Sequence, residues 1–230
     1  MKIYLILITA IMLVPAGLVF GQADAKAIRD ASKRVDDAST VIREIMAAED
    51  KAIPRDLLQK AEAVVVFPGA VKGAFIIGAQ GGKGIAIRRT HNGWSAPAFL
   101  DMAGGSFGLQ AGGSKTDYVL LIMNEDGLRG LLTDKFELGG EGSVAAGPVG
   151  RTAAASTNAT LDAGILTYSR SKGLFAGVSL KGVVITSDDK LNGPIYNKKA
   201  KDILVTPAVA ATAAPAELRK FGTTVAVYAK

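Results

Sequence analysis

The stretch GAQGGKGIAIRR, Gly78 to Arg89, decides how this chain is read. Its crowded glycines and single lysine look like a phosphate-binding loop, which requires a glycine, four residues and then Gly-Lys-Ser/Thr. Here Gly82-Lys83 puts Ile77 where the leading glycine belongs, and Gly84 where a magnesium-binding hydroxyl belongs. The spacing fails twice, so a nucleotide is not an expected partner. Glycines within strands otherwise mark bulges, sharp bends or close approach of backbones. That use predicts a curved sheet, with a glycine-lined ligand groove as the functional alternative.

Working outward, glycine divides the chain in three. None occurs between Gln22 and Phe67, most lie between Gly69 and Gly193, and only Gly222 follows. In the first block Ile28, Ala31, Val35, Ala38, Ile42 and Ile45 recur at steps of three and four, one apolar stripe of an amphipathic helix starting at Asp24. IPRDLLQKA predicts a second, short helix with Pro54 in its first turn. AVVVFPG reads as a buried strand closed by Pro68-Gly69. In the middle block KGIAIRR, TDYVLLIMN (Thr116–Asn124), TLDAGILTY and GLFAGVSLKGVVIT have strand character. Asn92-Gly93 marks a hairpin turn. EDGLRGLL and GPIYNKKAKDIL read as short helices, PAVAATAAP (207–215) as a connector, and TTVAVYA (223–229) as a final strand. The expected fold is therefore α+β: a curved, glycine-rich, barrel-like antiparallel sheet with an N-terminal amphipathic helix and short flanking helices.

Residues 1–21 have their own pattern. Lys2, the apolar run Ile3–Val14 and the small residues before Gly21 follow the order of a secretory signal peptide. Cleavage after Gly21, or alternatively after Ala23, is expected, giving an exported, periplasmic or extracellular protein. An uncleaved anchor helix is the other reading of this run. Removing 21 of the 230 residues leaves 209, enough for a single domain over 22–230. There is no cysteine, so packing alone must stabilise the fold. A net charge of +6 and a pI near 9.5 favour anionic partners. For an exported chain that means lipid or envelope polymer rather than nucleic acid.

Catalytic chemistry finds little to use. His91 is the only histidine and sits at a turn, and cysteine nucleophiles are absent. Zinc sites built on histidine and cysteine cannot be assembled from such a chain. Asp101, Asp117 and Asp162 could pair or hold a metal through oxygen, but structural ion pairs with Arg151 or Arg170 are the favoured reading. GGEGSVA resembles a dinucleotide fingerprint, yet Gly147-Pro148 interrupts the helix it requires. Neither an enzyme nor a cofactor is expected. The first helix carries Lys26, Arg29, Lys33, Arg34 and Arg43 against six acidic residues between Asp24 and Glu49. That balance favours a packed helix over one drawn to anionic lipid.

Three long motifs in order, GWSAPAFLDMAGGSFGLQAGG (93–113), GSVAAGPVGR (142–151) and YSRSKGLFAGVSLKG (168–182), resemble the signatures of the SYLF-domain family. The resemblance runs from about Ala25 to Leu204. The family includes eukaryotic proteins with SH3 or FYVE modules and stand-alone bacterial secreted members. It implies phospholipid binding, with phosphoinositides the usual eukaryotic ligand, through a basic amphipathic N-terminal helix. Some fungal members also bind actin, which an exported chain would not meet. Carried over, the lipid role falls on Lys26, Arg29, Lys33 and Arg34, and the domain's wider basic surface adds Lys83, Arg88, Arg89 and Lys172. Arg151 and Ser169–Gly173 serve either the fold or the ligand. Non-catalytic binding of anionic phospholipid is the expected function. A structural or scaffolding domain of the cell envelope is the alternative.

Overall fold

The computed structural model describes residues 17–48, 52–74, 77–107, 112–139, 144–150, 163–171, 173–205 and 207–230, with the backbone alone at 17–24, 72–74, 77–78, 106–107 and 112–113. Helix α1 (Gly17–Met46) begins earlier than Asp24 and runs across the expected cleavage junction. Its stripe is core. Ala31, Val35, Ala38, Ile42 and Ile45 are all at most 1% exposed. At about 1.5–3 kcal/mol for each fully buried valine or isoleucine, this stripe anchors the helix to the domain. No helix among the described residues is long and apolar enough to cross a membrane. After α2 (Arg55–Lys60) come β1 (Ala63–Ala74), β2 (Ile77–Thr90), β3 (Gly93–Trp94), β4 (Ala98–Phe107) and β5 (Gly112–Ile122). Then follow α3 (Glu125–Leu131), β6 (Lys135–Glu137), β7 (Val144–Ala146), β8 (Ile165–Ser171), β9 (Leu174–Gly177) and β10 (Val183–Ser187). Three short helices end the chain: α4 (Asp189–Tyr196), α5 (Ala200–Leu204) and α6 (Lys220–Tyr228).

The strands form one sheet in the order β6-β10-β4-β2-β1-β5-β8, and β7 and β9 share the far edge of β8. Pairing is antiparallel except between β7 and β8, so the sheet is mixed rather than purely antiparallel. Its curl follows from chain reach. Gly177 and Val183 are six Cα steps apart, a span of about 20–22 Å at most. Six strand spacings separate β9 from β10, which on a flat sheet would be about 29 Å. The sheet must roll toward a half-barrel for the connection to exist. GLFAGVSLKGVVIT is therefore not one strand. Its two halves lie at opposite margins, and Gly182 turns the chain with φ of +73°.

Two further expectations change. Pro68-Gly69 does not end β1. The strand continues through a bulge there, and the register with β2 shifts between Val66 and Val71. Proline lacks an N–H for the ladder. Gly69, at φ +55°, turns its own N–H to Asp117 Oδ1 at 2.7 Å. The second change is TTVAVYA, which forms α6 and not a last strand. Leu218, Phe221 and Val225, spaced by three and four, are fully buried there, and α6 packs on α1. That tertiary contact outweighs the strand preference of its valines and threonines.

The face of the sheet that carries α1 reads in rows. Phe99, Ile85, Val66, Val119 and Tyr168 form an apolar row, all at most 0–2% exposed, on β4, β2, β1, β5 and β8. The next row is charged: Asp101 and Lys83 on one side of the bulge, Asp117 and Arg170 on the other. α1 reaches this border through Arg34, bonded to the Gly84 carbonyl, and Glu44, ion-paired to Arg170. Beyond it lies the row Ala103, Gly81, Val71, Lys115, and then Gly105, Ala79, Gly73, Gly113.

Candidate anion-binding cleft

Packing accounts for two of the glycines in Gly78–Arg89. A Cβ on Gly82 would sit 2.9 Å from the Ala70 Cβ, and one on Gly84 would sit 2.4 Å from the Phe67 ring. Both glycines let β1 side chains press against the β2 backbone on the face away from α1. Lys83, between them, points to the α1-bearing face. Its ammonium lies 2.7 Å from Asp101 Oδ1 and 3.4 Å from Asp188 Oδ2. Burial works against the Lys83 charge, but the hydrogen bond to Asp101 and the charges of Asp188 and Asp101 outweigh it and raise its pKa. The folded-state value therefore lies above the ordinary 10.5. Lys83 contributes fully below that pH, and its share is lost only as pH climbs through the raised value.

Asp188 is the hub. Its side chain is 3% exposed, and Arg34 Nη1 donates to its Oδ2 at 2.9 Å. The same guanidinium lies 5.5 Å from the Phe99 ring centre. Helix α4 is set in place by Asn192, whose side-chain amide accepts from Phe99 N at 2.9 Å and donates to Phe99 O at 2.7 Å, completing the edge of β4 as a strand would. This docking brings Lys190 to the rim. The result is a cleft of about 490 Å³ between α1, β2 and α4, walled by Lys33, Arg34, Lys83 and Lys190 together with Asp30, Asp37 and Asp188. Three flexible ammonium groups from three elements converge on it. Such an arrangement can take an anionic group, and the interleaved aspartates hold the lysines in place without a ligand.

The other expected residues fall elsewhere. Lys26 and Arg29 are exposed on α1 and make no ion pair among the described residues. Lys33 pairs with Asp37 at 2.5 Å. Arg34 is turned inward and is structural. Arg88 and Arg89 lie five residues along β2 from Lys83, about 17 Å away. They line a separate cleft of about 730 Å³ with Trp94, Glu62 and Glu125. Arg88 donates to the Leu204 carbonyl, and Arg89 donates to those of Ala61 and Leu58 while lying 4.3 Å from the Trp94 ring. Both are tied inward, and burial lowers the Arg89 pKa, with Glu62 opposing. Lys172, Arg151 and Asp162 lie outside the described residues. Asp117 pairs with Arg170 at 2.8 Å, as a structural ion pair. His91 is exposed in the turn that joins β2 to β3. No group of three or more His, Asp or Glu among the described residues is placed to hold a metal ion. Lys190 and Asp188 escaped the sequence reading because nothing local in SDDKLNGP marks them. Only the contact between α4 and α1 does.

The sequence model of the family described as "Ysc84: Las17-binding protein actin regulator" matches residues 103–227. The chain belongs to the Ysc84 (SYLF-domain) family. LAS seventeen-binding protein 3 of Saccharomyces cerevisiae is 37% identical over 161 residues, covering 67% of this chain and 35% of the yeast protein. SH3 domain-containing YSC84-like protein 1 is 34% identical over 151 residues in Xenopus laevis and 33% over 159 residues in Homo sapiens. These cover 65% and 67% of this chain and 45% and 46% of those proteins. The chain thus spans less than half the length of the relatives it matches. Of the cleft residues, Asp188 and Lys190 fall within the matched segment, whereas Lys33, Arg34 and Lys83 precede it.

Proposed function

We propose that this Ysc84-family domain binds the headgroups of anionic phospholipid in the cleft between α1, β2 and α4. The observation that carries the reading is the convergence of Lys33, Lys83 and Lys190 from three separate elements. Family membership supports a binding and regulatory role rather than catalysis. The buried apolar stripe of α1 argues for contact through charged side chains with the fold intact, not through helix insertion. Lysines near an anionic surface are worth about 1 kcal/mol each, so the Lys83→Gln/Lys190→Gln double variant should bind roughly thirty-fold more weakly. Co-sedimentation with phosphatidylcholine vesicles, with and without phosphatidylserine, measures this. Binding should need the anionic lipid and fall as salt shortens the Debye length below about 8 Å. Equal binding to both vesicle types, or an undiminished double variant, would sink the reading.

A second reading comes from the family description, which names Las17 binding and actin regulation. Export would disfavour actin as a partner. The likeness to a yeast Las17-binding protein makes actin a partner class to be tested by filament co-sedimentation beside the lipid assay. Export itself is part of the proposal. Residues 1–21 are proposed to be removed, leaving a protein that starts at Gln22 or Asp24. Intact-mass measurement from the native host should find one of these termini, and a full-length chain in the cytosol would contradict it.

A further inference from the structure

We propose that the uncovered half of the α1-bearing sheet face rests on the bilayer interface, with the Lys33–Lys83–Lys190 cleft at its border. This inference rests on the lipid-binding reading above and names the surface that presents the cleft. Sheet faces turned to water are ordinarily polar, alternating with a buried apolar side. This one is not. Beyond the charged border row, Val71 is 53% exposed, and Ala79, Ala103 and Gly105 are exposed beside it. The polar side chain among these exposed positions is Lys115.

Charge complementarity selects the occupant. The carboxylates at the border are already engaged. Asp101 holds Lys83, and Asp117 accepts from Gly69 N and pairs with Arg170. Among the described residues the free charge on this half of the face is the Lys115 ammonium, and the adjoining cleft adds that of Lys190, beside Lys33 and Lys83 in their pairs with Asp37, Asp101 and Asp188. Exposed apolar groups bordered by lysines match the boundary between acyl chains and anionic headgroups. The surface is also smooth. In the two rows named above, four strands about 14 Å across carry nothing bulkier than valine apart from Lys115. Packing does not impose this bareness at Gly105, where an added Cβ would meet nothing within 4 Å. At Gly81 it would meet only the Met102 carbonyl at 3.6 Å, an ordinary contact.

The same freedom makes the test clean, because substitutions here leave the core untouched. The chain has no cysteine, so an environment-sensitive fluorophore can be placed at a single introduced thiol. In the full chain, labels at Val71→Cys and Ala103→Cys should shift to the blue and brighten on vesicles of phosphatidylcholine with phosphatidylserine. A label at Thr212→Cys, beside the Arg88–Arg89 cleft, should not respond. Ala103→Glu/Gly105→Glu should weaken vesicle binding by roughly thirty-fold with an unchanged thermal midpoint, two charges acting as the lysine estimate above does in reverse. If vesicles retain the protein while the labels at 71 and 103 stay silent, or the glutamate variant binds normally, this surface is the wrong one and the lipid reading survives. If the unsubstituted protein binds no vesicle, both are overturned. A blue shift that grows with protein concentration in the absence of lipid would assign the face to a second copy of the chain, and the proposal would fall.

Discussion

Replacing Arg34 by alanine is expected to cost the fold about 3 kcal/mol, because it leaves a buried carboxylate short of its main partner. Asp188 sits at the entry to α4 with its side chain 3% exposed, and Arg34 is the closer of the two cations on its Oδ2. Lys83, at 3.4 Å, compensates only in part and is itself drawn to Asp101. Chemical denaturation of Arg34→Ala, Asp188→Asn and the double variant forms the decisive set. The double variant should be more stable than the sum of the single losses implies, by at least about 1 kcal/mol, since neutralising Asp188 removes the orphaned charge. A loss below about 1 kcal/mol for Arg34→Ala would return this residue to the exposed lipid-contacting role that the sequence suggests.

Phe221→Ala should be comparably damaging, about 3–5 kcal/mol, since a fully buried ring on α6 is deleted beneath α1. A paired comparison separates helix from strand. In an alternating strand Val225 and Val227 would share one face and respond alike. In α6, Val225 is fully buried and Val227 is 58% exposed. Val225→Ala should therefore destabilise clearly while Val227→Ala stays within about 0.5 kcal/mol of the unsubstituted protein. Equal losses at the two positions would be incompatible with α6.

These positions show where the sequence was informative. The stripe from Ala31 to Ile45 announced both a helix and its buried face, because a period near 3.6 over many residues has one physical meaning. The glycines between Gly78 and Gly84 pointed to sheet curvature and close packing, and Ala70 and Phe67 fill the room left by Gly82 and Gly84. TTVAVYA misled because its β-branched residues satisfy both periods over seven positions. Only Leu218 and Phe221, upstream of the stretch, reveal the helical spacing. GLFAGVSLKGVVIT misled for a related reason: alternation persists across Gly177–Gly182 although the chain leaves one margin of the sheet for the other. For the cleft, a list of basic residues could not tell Lys83 from Arg88 and Arg89. The distinction lies in acceptors distant in sequence: the carbonyls of Leu58, Ala61 and Leu204 for the arginines, and aspartates 101 and 188 for the lysine.

The margins of the half-barrel have a consequence for life at high concentration. A rolled sheet that does not close keeps two open edges, and long flat edges template aggregation by recruiting strands from other molecules. Here one margin is β6, three residues long, with exposed Lys135 and Glu137 on either side of buried Phe136. The other is split between β7, three residues, and β9, four. These margin strands each offer a neighbour only three or four residues of backbone. A protein without disulfides to hold it through transient opening gains from edges this brief, because partial unrolling exposes little that a second chain could extend.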